Sequence, residues 1–262
     1  HHAEAEGVNR MAVPTWLAYN ELAWTDELLV DPGDCEAAVE TIVRLLRATA
    51  RPAPRTLLHL GSGAGGYDKV LKRDFAVTGV DVSPGTLRLA RAANPDVEYL
   101  EADMRTLRLG RKFDAVIIPD SIDYMVTRDD LDAALQTAAL HLRPGGAILV
   151  VAKPAETFRD NNFAYVGERE GVHVTVLENN RVDPARPGCY EATLVYLVRR
   201  DGELSIYTDR HVLGLFPRRA WDEAFVAAGL DMRAVPLEGA YDQYLLGDGY
   251  YPQTIFVGGR RG

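Results

Sequence analysis

Five short apolar runs alternate with segments of helical periodicity in the first part of this 262-residue chain. An apolar run of this length, bounded by turn signals, is typical of a buried strand. Strands that alternate with helices form a mostly parallel sheet with helices on both faces, because each crossover carries a helix across the sheet. The sequence therefore predicts an α/β fold. The runs are TLLHL (56–60), FAVTGVD (75–81), VEYLEAD (97–103), FDAVIIP (113–119) and AILVVAKP (147–154).

The predicted helices carry start and stop signals. Asp34 is the predicted N-cap of the helix before the first run. Ser83 and Pro84 take the N-cap and first helical positions of a later one. Gly229 ends the last predicted helix. The helical segments are 34–49, 66–74, 83–93, 128–146, which closes on Pro-Gly-Gly, and 217–230.

The pattern changes after Pro154, where apolar and polar residues alternate with period two. The segment RDGE (200–203) is a compact hairpin turn signal. An antiparallel meander over about residues 170–216 is therefore predicted, before the last helix and a final strand at 253–260. No linker is long enough to separate two domains. We predict one domain over 1–262, with a helical cap at about 1–50, a core at about 51–155 and 217–262, and an inserted antiparallel β lid at about 156–216.

A glycine-rich loop, GSGAGG, follows the first apolar run. Gly61, Gly63 and Gly66 match the pattern G-x-G-x-x-G, which alone is a weak signal. Glycines there allow a tight strand-to-helix turn and let a ligand lie against bare backbone. Asp81 ends the second run and suits a ribose, since a carboxylate accepts hydrogen bonds from both hydroxyls. A dinucleotide and the adenosyl group of a methyl donor satisfy this arrangement equally.

A second carboxylate favours the methyl donor. Asp103 ends the third run, where it would reach the adenine amino group while the backbone of Met104 reads the ring edge. A dinucleotide site has no need of this carboxylate. The fourth run also ends in a polar loop, PDSIDYM, at the sheet edge where ligands bind in such folds. A dehydrogenase usually needs a second substantial domain, so an NAD-dependent oxidoreductase is the less favoured alternative.

Five segments resemble, in order and spacing, the class I S-adenosylmethionine-dependent methyltransferases over roughly residues 35–155: LLHLGSGAGG, VTGVDVSPGTLRLAR, VEYLEADMRTL, FDAVIIPDSIDYM and HLRPGGAILV. The later segment YTDRHVLGLFPRRAWDEAFVAAGL resembles the smaller branch that N-methylates amino sugars in antibiotic pathways. The resemblance implies a Rossmann-like fold with an inserted antiparallel meander. It also implies S-adenosylmethionine as methyl donor and S-adenosylhomocysteine as product. The implied acceptor is a small molecule, an amino sugar or another specialised metabolite, methylated at N or O by in-line displacement.

The resemblance further implies which residues hold the donor. The glycine loop would contact its methionine end, Asp81 its ribose, and Asp103 with Met104 its adenine. Pro119 and Asp120 would lie under the sulfonium. Two aromatic residues of the N-terminal segment are further candidates. The implied donor-binding set is Leu60, Gly61, Ser62, Gly63, Asp81, Val82, Asp103, Met104, Pro119, Tyr19 and Trp24.

Two positions depart from the family pattern. His59 stands where many relatives have Asp or Glu, and that acid helps to organise the donor's ammonium group. The loop after the fourth run is one residue shorter than usual, so a catalytic histidine of some relatives has no counterpart here. The departure at His59 keeps open a non-catalytic protein that binds a ligand or partner on the same fold.

Three side chains are candidates to take the acceptor's proton, because an amine nucleophile must lose its proton before attack. Asp120 and Asp123 lie in the loop after the fourth run, and His211 lies where a meander strand returns to the core. The sequence does not choose among them. No metal site is predicted. Tyrosines near the C-terminus are candidates to line a substrate mouth: Tyr241, Tyr244, Tyr250 and Tyr251.

Charge and composition narrow the partners. The net charge of −9 and a pI near 5.2 disfavour a broad nucleic-acid or anionic-membrane surface, which requires a basic patch. No apolar run approaches the ~20 residues of a membrane span. Cys35 and Cys189 are far apart, as expected of reduced thiols. The N-terminal HHAEAEGVNR does not resemble a signal peptide. We therefore expect a cytoplasmic protein, with a homodimer through exposed meander edges as a further possibility.

Overall fold

The computed structural model describes residues 15–260, and eleven strands run through this part of the chain. The five predicted runs all form strands. In chain order the strands are β1 (Thr56–Leu60), β2 (Ala76–Asp81), β3 (Glu98–Glu101), β4 (Phe113–Pro119), β5 (Leu142–Ala152), β6 (Asn161–Arg169), β7 (Val172–Val182), β8 (Cys189–Arg200), β9 (Glu203–Gly214), β10 (Leu230–Leu237) and β11 (Gln253–Arg260).

Six α-helices lie within the same residues. They are α1 (Asp26–Leu29), α2 (Pro32–Thr49), α3 (Gly66–Leu71), α4 (Pro84–Ala93), α5 (Arg128–His141) and α6 (Arg218–Ala227). Short 3₁₀ segments occur at Leu17–Tyr19, Ala23–Thr25, Ser121–Tyr124 and Asp242–Tyr244. No helix among the described residues is long and apolar enough to cross a membrane.

Two predicted helix boundaries are wrong. The helix α2 begins at Pro32, and Asp31 is its N-cap, accepting a hydrogen bond from the Gly33 amide at 2.7 Å. Proline favours the first helical position because its φ is preset, so the cap falls one residue before it and Asp34 lies in the first turn. At the other boundary, α5 ends at His141, and the Pro-Gly-Gly sequence belongs to β5, whose first residue pairs with β4.

Two other helix caps differ in how they are made. Ser83 occupies the N-cap position of α4, with Pro84 next, but its side chain makes no capping hydrogen bond. Thr127 caps α5 and accepts from the Asp130 amide.

The larger sheet has seven strands in the order β10-β11-β5-β4-β1-β2-β3. The pairs among β1 to β5 are parallel, and β11 runs antiparallel to both β5 and β10. Alternate strand residues face two apolar clusters, one with α2 and the other with α5 and α6. Helices therefore cover both faces, which confirms the predicted α/β fold. The strand β10 was not predicted, because this edge strand is only half-buried and contains Pro236.

The smaller sheet is antiparallel, in the order β6-β7-β8-β9, and it is inserted between β5 and α6. The sequence pattern predicted only its last three strands. The predicted hairpin turn joins β8 to β9, where Asp201 and Gly202 have φ of 51° and 86°. Two positive φ values match the twist of a tight hairpin. Apolar residues of the N-terminal segment, including Leu22, pack with Val174, Tyr196 and Val198 of this sheet.

Candidate active site

A cavity of about 930 Å³ lies between the carboxyl edge of the larger sheet and the smaller sheet. It brings together most of the residues that the sequence predicted. Eight of the predicted donor residues line it: Tyr19, Gly61, Gly63, Asp81, Val82, Asp103, Met104 and Pro119. The three predicted proton acceptors, Asp120, Asp123 and His211, also line it. Its wall includes residues that the sequence analysis missed: Lys153, Tyr165, Glu178, Arg186, Tyr190 and Arg210.

The glycine loop is built so that backbone, not side chains, faces this cavity. Gly61 has φ +75°, and a Cβ there would lie 2.1 Å from the Ser121 hydroxyl oxygen. The Gly61 amide donates to the Val80 carbonyl at 2.7 Å, which joins the loop to β2. A Cβ at Gly63 would meet nothing within 4 Å. The loop therefore presents bare backbone to open space, as a bound ligand requires.

Asp81 projects from the end of β2 toward the glycine loop. One carboxylate oxygen accepts from the Gly63 amide at 2.8 Å, and the other accepts from the Ser83 amide at 2.9 Å. Burial raises the pKa of Asp81, although these backbone hydrogen bonds act in the opposite direction. The Thr86 hydroxyl also approaches Asp81 Oδ1, at 3.5 Å. Two carboxylate oxygens offer about four acceptor positions, so these three donors still leave room for a ribose hydroxyl.

Asp103 has a partner that the sequence analysis did not identify. The Arg105 guanidinium contacts both oxygens of Asp103, with the shortest distance at 2.6 Å, and reaches Asp130 at 2.7 Å. Burial favours the neutral acid, but the hydrogen bonds from Arg105 outweigh it and lower the pKa of Asp103. An adenine amino group would therefore share this carboxylate with Arg105.

Three predicted donor residues do not line the cavity. Leu60 is fully buried in the core, because strand alternation turns its side chain toward α5 and α6. The Ser62 side chain is buried, and its hydroxyl has no hydrogen-bond partner among residues 15–260. Trp24 packs against the smaller sheet, with the Arg200 guanidinium 5.5 Å from its ring centroid. Trp24 therefore lies in a 3₁₀ turn outside the cavity that Tyr19 lines.

His59 forms a buried pair with an acid on α3. Its Nδ1 lies 2.6 Å from Asp68 Oδ1, and the Tyr99 hydroxyl donates to Asp68 Oδ2 at 2.9 Å. His59 is 3% exposed and Asp68 is fully buried. Asp68 therefore contacts His59, and neither side chain lines the cavity.

A lysine lies between the two predicted acids of the fourth-strand loop. Lys153 Nζ is 2.5 Å from Asp123 Oδ2 and 3.3 Å from Asp120 Oδ1. Lys153 and Asp123 are 4% and 3% exposed. Burial raises the pKa of Asp123 to about 6 despite the nearby ammonium. The sequence offered a signal for this lysine, since it follows the apolar run of β5 at the carboxyl edge of the sheet.

Asp120 adopts a backbone conformation that is unusual for a residue other than glycine, with φ 58° and ψ −38°. Its carboxylate contacts Lys153, the Tyr241 hydroxyl at 3.4 Å and the Gln253 amide nitrogen. Such conformations persist only where surrounding contacts hold them, and they cluster at functional sites.

His211 belongs to a chain of polar contacts on the cavity wall. Its Nδ1 lies 2.7 Å from the Tyr124 hydroxyl, and its Nε2 lies 3.0 Å from Asp209 Oδ2. The Tyr124 hydroxyl lies 2.6 Å from that of Tyr19. Burial lowers the pKa of His211, although Asp209 acts in the opposite direction.

The tyrosines near the C-terminus divide into two pairs. Tyr241 and Tyr251 line the cavity, and the Lys153 ammonium lies 5.3 Å from the Tyr251 ring centroid. Tyr244 instead donates to Asp34 at 3.1 Å, and Tyr250 lies exposed beneath the Arg159 guanidinium. Only the first pair is placed to line a substrate site.

The donor end of the cavity fits an adenosyl-methionine group. It combines bare backbone at the glycine loop, acceptors at Asp81 and Asp103, and the apolar walls of Val82 and Met104. These are the groups that a ribose, an adenine amino group and an adenine ring face require. Within residues 15–260, no cluster of three or more His, Cys, Asp or Glu residues could hold a metal ion.

Residues 57–146 match a family described as a methyltransferase domain. Over 214 residues the chain is 34% identical to the dTDP-3-amino-3,4,6-trideoxy-alpha-D-glucopyranose N,N-dimethyltransferase of Streptomyces venezuelae, an alignment that covers 79% of this chain and 86% of that protein.

Solved structures agree with this match. The structure of Streptomyces venezuelae DesVI superimposes with a TM-score of 0.75 and 29% identity, covering 87% of this chain and 92% of that one. SAM-bound CalS10, an amino pentose methyltransferase from Micromonospora echinaspora, has the same fold, with a TM-score of 0.72, 24% identity and coverage of 98% and 99%. The fold, the donor end of the cavity and these similarities together show that the chain belongs to the class I S-adenosylmethionine-dependent methyltransferases, in the branch that contains the sugar N-methyltransferases.

Proposed function

We propose that this methyltransferase transfers a methyl group to the amino nitrogen of a sugar. The observation that carries the proposal is the continuity of one cavity, which joins the donor end to a second end lined by Asp120, Asp123 and Glu178. Carboxylates suit an amino group, because they accept hydrogen bonds from N–H and favour a positive charge. The names of the relatives, which include sugar N,N-dimethyltransferases, support the same acceptor class.

The residues of the donor end have distinct proposed tasks. Asp81 binds the ribose hydroxyls, Asp103 and Met104 bind the adenine, and Tyr19 covers the donor from the N-terminal segment. Bound S-adenosylmethionine supplies an electrophilic methyl group on a sulfonium, whose departing thioether is neutral and needs no acid. The chain's main task is then to align the acceptor, which can contribute about 7–11 kcal/mol to lowering the barrier.

Glu178 is a proposed contact for the acceptor that sequence reasoning missed. It projects from β7 into the cavity and accepts hydrogen bonds from the Tyr165 hydroxyl at 3.1 Å and the Asn180 amide at 2.8 Å. Burial raises the pKa of Glu178. The smaller sheet thus supplies both a polar contact and a cover that excludes water from the reacting groups.

Two arginines on the wall favour an acceptor that carries phosphate. Arg186 and Arg210 lie at the edge of the cavity with mostly exposed side chains, and Arg210 also pairs with Glu191. One guanidinium group can donate two parallel hydrogen bonds to phosphate oxygens. The curated relatives are named for sugars attached to dTDP, so we propose a nucleotide-linked amino sugar as the acceptor.

The cytoplasmic location and the oligomeric state stay predictions.

Methyl transfer to nitrogen is tested with a trideuteriomethyl donor and mass spectrometry of the acceptor. We expect label on a dTDP-linked amino sugar, and slower transfer to the same sugar without the nucleotide. The matched control is a dTDP sugar with a hydroxyl in place of the amine. Equal labelling of that control would contradict N-methylation. Tight binding of S-adenosylhomocysteine with no turnover on any amine would instead favour a non-catalytic protein.

Replacement of Asp81 by asparagine is expected to weaken binding of S-adenosylhomocysteine about 10- to 150-fold, because hydrogen bonds to a charged group contribute about 1.5–3 kcal/mol. Isothermal titration calorimetry gives the dissociation constant directly. Asp96→Asn is the matched control, since Asp96 is an exposed acid paired with Lys72. Equal affinities of the two variants for S-adenosylhomocysteine would contradict the assignment of Asp81 to the donor site.

A further inference from the structure

Four polar side chains form one continuous hydrogen-bonded chain along the cavity wall. It runs from Tyr19 to Tyr124, then to His211 and Asp209, with successive distances of 2.6, 2.7 and 3.0 Å. The members come from the N-terminal segment, the segment after β4, and β9. These three parts of the fold are distant in sequence, so tertiary packing brings the four side chains into contact.

The hydrogen bonds that join these four side chains can all be donated in one direction, from Tyr19 toward Asp209. Asp209 Oδ2 accepts from the Ala18 amide at 2.8 Å, as a carboxylate does. His211 Nε2 therefore carries a proton and donates to the same oxygen, which leaves Nδ1 of the neutral ring as an acceptor. The Tyr124 hydroxyl then donates to Nδ1 and accepts from the Tyr19 hydroxyl. His211 Nδ1 is thus free to receive a proton through Tyr124.

Burial protects this arrangement from water. His211 is 2% exposed and Asp209 is 8% exposed. The Trp16 indole stacks on the His211 ring, with a centroid distance of 5.4 Å and an interplanar angle of 10°. The titratable groups that face His211 are Asp209 on its own strand and the hydroxyls of Tyr124 and Tyr19. An imidazolium formed here would pair with the Asp209 carboxylate.

We propose that Tyr124, His211 and Asp209 form a relay that removes a proton from the bound acceptor. The inference rests on the proposed function, because it requires an amine in the cavity. Tyr124 is the residue that meets the acceptor, while His211 and Asp209 are positioning residues that act through it. Asp120 and Asp123, the other candidates, are already bound by Lys153.

The proton transfer balances in charge. The acceptor's ammonium gives a proton to the Tyr124 oxygen, as Tyr124 passes its own proton to His211 Nδ1. The ammonium becomes an amine and the imidazole becomes an imidazolium, so no net charge is created. The freed nitrogen lone pair then forms the new C–N bond as the C–S bond of the donor breaks.

The decisive variant is His211→Asn, since the asparagine Oδ1 takes the place of Nδ1 and accepts from Tyr124 but cannot take up a proton. We expect kcat to fall about a hundredfold or more at neutral pH, as for loss of a general base. KM for the acceptor and the affinity for S-adenosylhomocysteine should change little. His173→Asn is the matched control, because His173 lies exposed on the same sheet, where it pairs with Glu168 and does not line the cavity.

Two readouts separate proton transfer from support of the fold. The ratio of wild-type to variant kcat should fall as pH rises, because free acceptor already loses its proton to solution. A constant ratio would contradict the relay. Nitrogen NMR of the wild-type protein should show His211 protonated at Nε2 and not at Nδ1. The opposite tautomer would overturn the relay even if no acceptor were known.

Tyr124→Phe provides a second variant should His211→Asn fail to fold. It should lower kcat comparably, and a phenylalanine variant with wild-type kcat would contradict the relay. A wild-type protein that methylates no amine would contradict the proposed function and the relay together. An active wild type whose His211→Asn variant keeps its kcat would contradict the relay alone.

Discussion

Replacement of Lys153 by methionine is expected to lower the free energy of unfolding by about 3–5 kcal/mol. Within residues 15–260, the Tyr190 hydroxyl, 3.4 Å away, would then be the remaining side-chain hydrogen-bond partner of the buried Asp123 carboxyl. Leaving a buried charge without a partner costs more than losing an exposed ion pair, because an exposed pair contributes only about 0–1 kcal/mol. Denaturant unfolding measures the change. Lys72→Met is the matched control, since Lys72 pairs at the surface with Asp96.

The loss should depend on pH in a defined direction. The pKa of Asp123 is about 6 with Lys153 present, and removing the lysine raises it further. Below pH 6 the carboxyl is protonated in both proteins, so little charge interaction is lost. Above that value Asp123 and Lys153 form an ion pair in the wild type, whereas the Asp123 carboxyl of the variant has lost its lysine partner. The deficit should therefore grow as pH rises from about 5 to 8. A deficit that shrinks over this range would contradict the assignment.

A double variant tests whether the pair or the lone charge matters. Lys153→Met combined with Asp123→Leu removes both charges, and replacement of a buried pair by apolar residues is often close to neutral in stability. We expect the double variant to recover most of the stability that the single variant loses. A double variant as unstable as the single one would mean that packing, not charge, explains the loss.

Replacement of Gly61 by alanine is expected to weaken donor binding about 5- to 150-fold, because a residue other than glycine costs about 1–3 kcal/mol in such a backbone conformation. The new Cβ would lie 2.1 Å from the Ser121 hydroxyl oxygen, at φ +75°, so the loop must move. Calorimetric titration with S-adenosylhomocysteine measures the effect. Gly66→Ala is the matched control, because a Cβ there meets nothing within 4 Å and the position is helical. Similar affinities for both variants would contradict the role given to the loop.

The central fold was predictable because its signals are local. The strands β1 to β4 are apolar runs that end at turn signals, and helix starts such as Thr127 carry capping residues. The strand β6 and the edge strand β10 were missed, because half-exposed strands lack an apolar run. The helix boundary at His141 was wrong because pairing of β5 with β4 extends the strand through a Pro-Gly-Gly sequence that normally ends helices.

Much of the candidate site was predictable because its residues follow strands. Asp81, Asp103 and Asp120 lie at strand ends, and topology alone brings them to one edge. The relay could not be predicted, since Tyr19, Tyr124 and Asp209 are far apart in sequence and meet through packing of the N-terminal segment on the smaller sheet. The same packing places Trp24, five residues from Tyr19, against the smaller sheet and outside the cavity.

Thermal unfolding with and without S-adenosylhomocysteine, and with NAD as the control ligand, tests the donor site most directly. At about a hundred times its dissociation constant, a specific ligand adds roughly 2.7 kcal/mol to the stability of the folded protein. For a chain of this size we expect a rise in Tm of several degrees. We predict that rise with S-adenosylhomocysteine and none with NAD. A rise with NAD alone, or with neither ligand, would contradict it.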